Sequence, residues 1–231
     1  MQGHSGVLTV TSLSHRYNAA AAKAELRFGS FSLDSGHALL LRGDSGAGKS
    51  TLLHLLCGVL PIRAASGDVV LAGQSLQSLT RSERDGLRPY TVGWMPQRQF
   101  LMSTLTVLEN VLLPASLAGR ADAATRTRAI ALLQSFAISD LAGLRPQILS
   151  VGQAARASLA RALVTQPKLL LADEPTAALD AVSSRLVIEQ IARYVAAGGA
   201  AIIASHDPSI RALWDAVSDK SSLLAELELP R

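Results

Sequence analysis

Two short stretches of this chain combine residue types that could act on phosphate. Gly43-Asp44-Ser45-Gly46-Ala47-Gly48-Lys49-Ser50-Thr51 fits the pattern GxxxxGK(S/T). Its glycines let successive backbone N–H groups wrap phosphates, and a helix starting there adds a favourable dipole. Lys49 would neutralise the outer phosphates and Ser50 would ligate Mg2+. The second stretch, Leu169-Leu170-Leu171-Ala172-Asp173-Glu174-Pro175, is an apolar run that stops on two acids. Adjacent carboxylates there can do different work: Asp173 holds Mg2+ through water, while Glu174 orients and polarises an attacking water.

Both stretches need elements that present them at one edge. The phosphate loop lies where its chemistry requires, after a buried strand at Ala38 to Leu41 and before a helix expected from Lys49 to about Leu60, where Pro61 ends it. The acids close a strand at Lys168 to Ala172, which places them at the carboxyl edge of a parallel sheet beside the phosphate loop. Further strands are expected at Val7 to Val10, Asp68 to Leu71, Thr91 to Met95 and Ala200 to Ala204. Between Thr104 and about Leu163 the strand signal fades and helical patterns take over. The alternation predicts an α/β protein with a parallel sheet wrapped by helices. There is no internal repeat, and the only low-complexity run is the Ala-rich segment Ala19 to Ala24.

Composition bounds the rest. With 231 residues, 48% hydrophobic and 17% charged, the chain can bury a large core without staples. The single cysteine, Cys57, sits in an apolar helical run and suits a reducing compartment. The segment from Met1 to Thr11 does not read as a secretory signal. No stretch approaches the ~20 consecutive apolar residues that span a bilayer, so a membrane role must come through a partner. The net charge is only +4 and the arginines are scattered, which gives no nucleic-acid footprint.

Leu149-Ser150-Val151-Gly152-Gln153, ahead of the acidic strand, resembles the signature of ABC ATPases, usually LSGGQ. With the phosphate loop, it makes the chain similar to the ATP-binding subunits of ABC transporters over about Tyr17 to His206. The resemblance implies a P-loop NTPase (RecA-like) core sheet, an N-terminal antiparallel β subdomain and an inserted α-helical subdomain. The core and β subdomain would take residues 1–97 and 164–231, and the helical subdomain 98–163. It also implies ATP and Mg2+, with Gln97 as the Q-loop glutamine that senses metal and water, Ala178-Leu179-Asp180 as the D-loop, and His206 as the switch histidine. Tyr17 would stack on adenine. On its own, His206 or Gln97 would read as an ordinary polar residue at a strand end.

By the same resemblance the signature works in the opposite subunit. Ser150 and Gln153 form a capping box that starts a helix running through Arg156 to Leu163. In a head-to-tail pair, identical or homologous, the Ser150 hydroxyl and the Gly152 N–H would close on the γ-phosphate held by the partner's Gly46 and Lys49. Val151 departs from the pattern. If its position needs φ > 0, a β-branched residue is costly there; if it needs only a first-turn helical conformation, it costs little.

Thr104 to Pro114, with the wording LTVLENVLLP and a capping box from Thr106 to Glu109, resembles the lipoprotein-releasing and macrolide-export group. That implies a separate integral-membrane permease, whose coupling helix enters a groove along residues 98–115, and a cytoplasmic ATPase peripheral to the inner face of the cell membrane. The alternative is a nucleotide-dependent mechanical or regulatory switch on a membrane partner, with hydrolysis weakened at Val151. DNA-maintenance or translation ATPases of the family need a long coiled-coil insertion or two cassettes, which do not fit in 231 residues.

Overall fold

A five-stranded parallel sheet carries the candidate chemistry, and a four-stranded antiparallel sheet stands beside it. In this computed structural model the described residues are 6–17, 25–62, 65–218 and 224–229, so the Ala-rich segment Ala19 to Ala24 lies outside them. The antiparallel sheet has the order β2-β1-β4-β5, from β1 (Leu8–His15), β2 (Leu26–Leu33), β4 (Ala65–Leu71) and β5 (Gln74–Ser75). The parallel sheet has the order β6-β7-β8-β3-β9, from β3 (Ala38–Arg42), β6 (Val92–Met95), β7 (Leu169–Asp173), β8 (Ala200–Ala204) and β9 (Leu224–Glu228).

The inner strands β3, β7 and β8 read as apolar runs because both of their faces are covered. Leu40, Leu170, Ala172, Ala201 and Ile203 pack into one core, with α3 (Val107–Leu117), α4 (Ala123–Ser135), α5 (Val151–Leu163), α6 (Ala181–Ala196) and α7 (Ser209–Val217). Their neighbours Leu39, Leu41, Leu169, Leu171 and Ile202 pack into the other, with α1 (Lys49–Leu56) and the antiparallel sheet. Each Leu or Ile fully buried in this way contributes about 1.5–3 kcal/mol. The sheet edge that holds the site is therefore a stiff base.

Several boundaries differ from the sequence reading. Helix α1 stops at Leu56, short of Leu60, because Gly58 takes a left-handed conformation at φ +73° and turns the chain before Pro61. Strand β1 extends to His15, past an irregularity in its register where Ser12 lies at φ +48° and breaks the alternation. Strand β9 is a further strand, added at the edge of the parallel sheet beside β3. Strands β2 and β5 and helix α2 (Arg81–Thr91) carry no strong apolar period, and α2 holds Pro89 in its last turn.

Residues 98–163 form α3, α4, two short 3-10 turns (Ser139–Leu141 and Pro146–Ile148) and α5. The starts of α3 and α5 are fixed by capping boxes, Thr106 with Glu109 and Ser150 with Gln153. Asp122 caps α4 by accepting from the Thr125 N–H at 2.8 Å.

Candidate active site

The strand ends of the parallel sheet meet at one cleft of about 680 Å3. Strand β3 delivers Arg42 and the phosphate loop, β8 delivers Ser205 and His206, β7 delivers Asp173 and Glu174, and Gln97 follows β6. The acids share this edge with the phosphate loop, although strand β8 runs between β7 and β3. Gly43 to Ser45, Gly46, Gly48, Lys49, Ser50 and Thr51 all line the cleft, whereas Ala47 packs against the core behind it.

The loop adopts a turn that an ordinary residue resists. Gly48 caps α1 at φ +97°, and a Cβ there would stand 3.1 Å from Leu26 Cδ1, so both conformation and space require glycine. Lys49 is buried, and its Nζ donates to the carbonyls of Gly43 at 2.6 Å and Asp44 at 3.1 Å. Its charge is thereby held at the centre of the loop, where phosphate oxygens would compete for it.

Asp173 is buried, and that burial pushes its carboxyl above the usual aspartate range, against the hydroxyl donated by Ser50. A buried carboxylate and a hydroxyl in contact are hard oxygen donors suited to Mg2+, which keeps several waters and takes few protein ligands.

Glu174 continues past the strand with φ +47°, a left-handed conformation unusual for a residue with a Cβ. Its N–H donates to Ala204 O at 2.8 Å, which anchors it to β8. Its Oε1 accepts the His206 N–H at 3.1 Å and faces His206 Nδ1 at 2.6 Å, while Oε2 accepts the Ser205 hydroxyl at 2.9 Å. Glu174 is buried and His206 is exposed at the cleft. Acid, hydroxyl and imidazole form one cluster opposite the phosphate loop.

Tyr17 lies at the end of β1, 40% exposed, with its hydroxyl 2.9 Å from Thr51 Oγ1 and its ring edge-on to His15. It flanks the start of α1, so an adenine base above the loop would meet an open ring face. Ser150, Val151, Gly152 and Gln153 do not line this cleft. Ser150 and Val151 are exposed at the start of α5, with the Ser150 Oγ accepting the Gln153 N–H at 3.2 Å. Val151 is the first residue of the helix and has no positive φ, so its β-branch meets no backbone objection. Asp180 caps α6, accepting the Ser183 N–H at 2.8 Å and its hydroxyl at 3.0 Å.

Sequence reasoning missed Ser205, an ordinary serine until β8 places it between loop and acid, and also Arg42 and Glu228, which close the cleft floor. It also missed Arg161. From α5 this half-buried guanidinium donates to the carbonyls of Gln99 at 2.8 Å and Phe100 at 3.0 Å, and so ties the segment after Gln97 to the signature helix.

A parallel sheet with a glycine-rich loop between strand and helix, and with acids ending a second strand, defines a P-loop nucleoside-triphosphatase fold. The chain belongs to the ABC transporter family, whose model matches residues 26–177. Curated relatives include the lipoprotein-releasing system ATP-binding protein LolD of Paramagnetospirillum magneticum, 39% identical over 204 residues, covering 87% of this chain and 89% of that protein. LolD of Shewanella denitrificans is 34% identical over 97% of both chains. The macrolide export ATP-binding/permease protein MacB of Burkholderia pseudomallei is 42% identical over 183 residues, but this chain spans only 28% of its length. Among solved structures, the dimeric ATP-binding cassette MJ0796 bound to ADP and Pi superposes with a TM-score of 0.76 over 97% of both chains, at 24% identity, and supports the fold.

Proposed function

We propose that this chain is the ATP-binding and ATP-hydrolysing subunit of an ABC transporter, working in pairs on a separate export-type integral-membrane permease. The observation that carries it is a division within the site. The loop, Asp173, Glu174, Gln97 and His206 share one cleft, while Ser150 to Gln153 do not line it and stand at a helix start. An exposed helix start whose capping hydroxyl still has its proton to donate is suited to an anion, and here that anion would be a second subunit's nucleotide. Within the cleft Lys49 and the loop N–H groups hold the phosphates, Ser50, Asp173 and Gln97 hold Mg2+, and Glu174 takes a proton from water while His206 steadies it. Asp180 meets the partner across the pair.

The permease contact is supported by the segment after Gln97. Asn110, fully buried, bonds both backbone groups of Met102 and the carbonyls of Leu105 and Thr106, and Arg161 holds Gln99 and Phe100. On this fixed backbone Phe100 and Met102 stay exposed at 70% and 48%, an apolar pair suited to a helix of a membrane partner. Among the described residues no helix is long and apolar enough to cross a membrane, consistent with a peripheral subunit at the inner face. The switch reading loses its motive, since Val151 sits in an ordinary first turn.

Phosphate release and size-exclusion chromatography test the proposal. The wild type is expected to hydrolyse ATP with Mg2+ and to lose that activity with a chelator. Glu174→Gln should cut turnover by a factor on the order of 100 or more and accumulate an ATP-bound dimer. A Glu174→Gln variant that hydrolyses at the wild-type rate would remove Glu174 as the base.

A further inference from the structure

We infer that Ser205 is a positioning residue for hydrolysis, the link that holds the Glu174 carboxylate in register with the phosphate-loop strand. The inference rests on the reading of Glu174 as the base. Strand β8 lies between the strand that carries the loop and the strand that carries the acid, so the backbone pairing that relates the two runs through it. Ser205 is the first residue beyond β8 and is 1% exposed. Its N–H donates to Leu41 O on β3 at 3.2 Å, one residue before Arg42 and two before the loop. Its hydroxyl donates to Glu174 Oε2 at 2.9 Å.

The same hydroxyl oxygen accepts the Asp207 N–H at 3.1 Å, which fixes the rotamer and leaves its single proton for the carboxylate. Both other donors to Glu174, the His206 N–H and Nδ1, converge on Oε1. Ser205 alone among the described side chains holds Oε2. Without it the carboxylate keeps its anchor but is free to rotate about its last bond. In a backbone already held at φ +47°, that freedom moves the oxygen that must face the water. Because the Ser205 hydroxyl is engaged by Glu174 and Asp207 and by no residue of the phosphate loop, the loss falls on turnover and leaves nucleotide binding intact.

The test is steady-state phosphate release against ATP concentration for the wild type, Ser205→Ala and Ser205→Thr, with thermal melting as a fold control. Ser205→Ala is expected to lower kcat about tenfold, the usual effect of losing a hydrogen bond to a charged group, with KM for ATP within about twofold. Ser205→Thr, which restores the donor, should recover most of kcat. Should the alanine variant not fold, Ser205→Cys, similar in size but a weak donor, takes its place with the same expectation. The inference is overturned if the donor-poor variant keeps kcat within about twofold of wild type, if it raises KM at unchanged kcat, or if threonine recovers nothing. An active Glu174→Gln would overturn the base itself; an inactive Glu174→Gln beside an unimpaired Ser205→Ala would overturn this inference alone.

Discussion

Gly152 lies hard against Ser183: a Cβ built on the glycine would stand 2.3 Å from the Ser183 Oγ and 2.9 Å from its Cβ. Ser183 Oγ in turn donates to Asp180 Oδ2 at 3.0 Å. The start of the signature helix and the cap of α6 are therefore one joint, and the second glycine of the motif is fixed by side-chain room, with no call on an unusual backbone angle.

Gly152→Ala is expected to destabilise the chain by about 1–3 kcal/mol through this overlap and to lower ATPase turnover, since α5 and the Asp180 loop must part. Ser183→Gly, which opens the space, should recover part of the melting temperature in the double variant. Additive losses in differential scanning fluorimetry would count against the contact.

Val151→Gly, which restores the usual motif, is expected to leave kcat within about twofold of wild type. Val151 already has a helical first-turn backbone and points into solvent at 53% exposure. The glycine should instead loosen the first turn of α5, costing about 0.5–1 kcal/mol of stability. A severalfold gain in turnover would show that the valine crowds the phosphate of the opposite subunit.

Asp173→Asn should melt higher than wild type in the absence of nucleotide, by roughly 3 °C for a gain near 1 kcal/mol, while losing Mg2+-dependent hydrolysis. Burial raises the folded pKa of Asp173 above its unfolded value, near 3.9. The native state therefore pays no ionisation penalty below that value, and the penalty grows as pH rises through the folded pKa. The asparagine's advantage should be full at pH 7–8 and fade as the solution is acidified through that window. An advantage unchanged by pH would mean that another interaction is responsible.

How far the chain could be read before its structure was in view depended on whether a residue acts through its own type or through its neighbours. Lys49, Asp173 and Glu174 are legible because few arrangements other than phosphate chemistry set such residues beside glycines or at the end of an apolar strand. The strands β3, β7 and β8 are legible because burial on two faces leaves unbroken runs of Leu, Ile and Ala. Strand β2 is not, since Arg27, Gly29 and Ser30 interrupt it on its exposed face. Ser205 is illegible for another reason. Its importance comes from strand order, and nothing local to Ala204, Ser205 and His206 announces that β8 runs between the loop and the acid. The end of α1 was misjudged because Pro61 is a louder stop signal than Gly58, yet the glycine comes first.

Strand β9 pairs with β3 along its whole length, and the Leu229 N–H bonds Arg42 O at 3.0 Å, at the threshold of the phosphate loop. The other neighbour of β3, β8, also comes late in the chain. A polypeptide emerging from the ribosome thus displays its nucleotide loop long before either flanking strand exists, and the loop acquires its scaffold only after β8 and β9 are translated. Vectorial synthesis thus leaves the loop's strand unflanked until both are made, and a stop between Ala204 and Leu224 leaves β3 with one side open to other nascent chains.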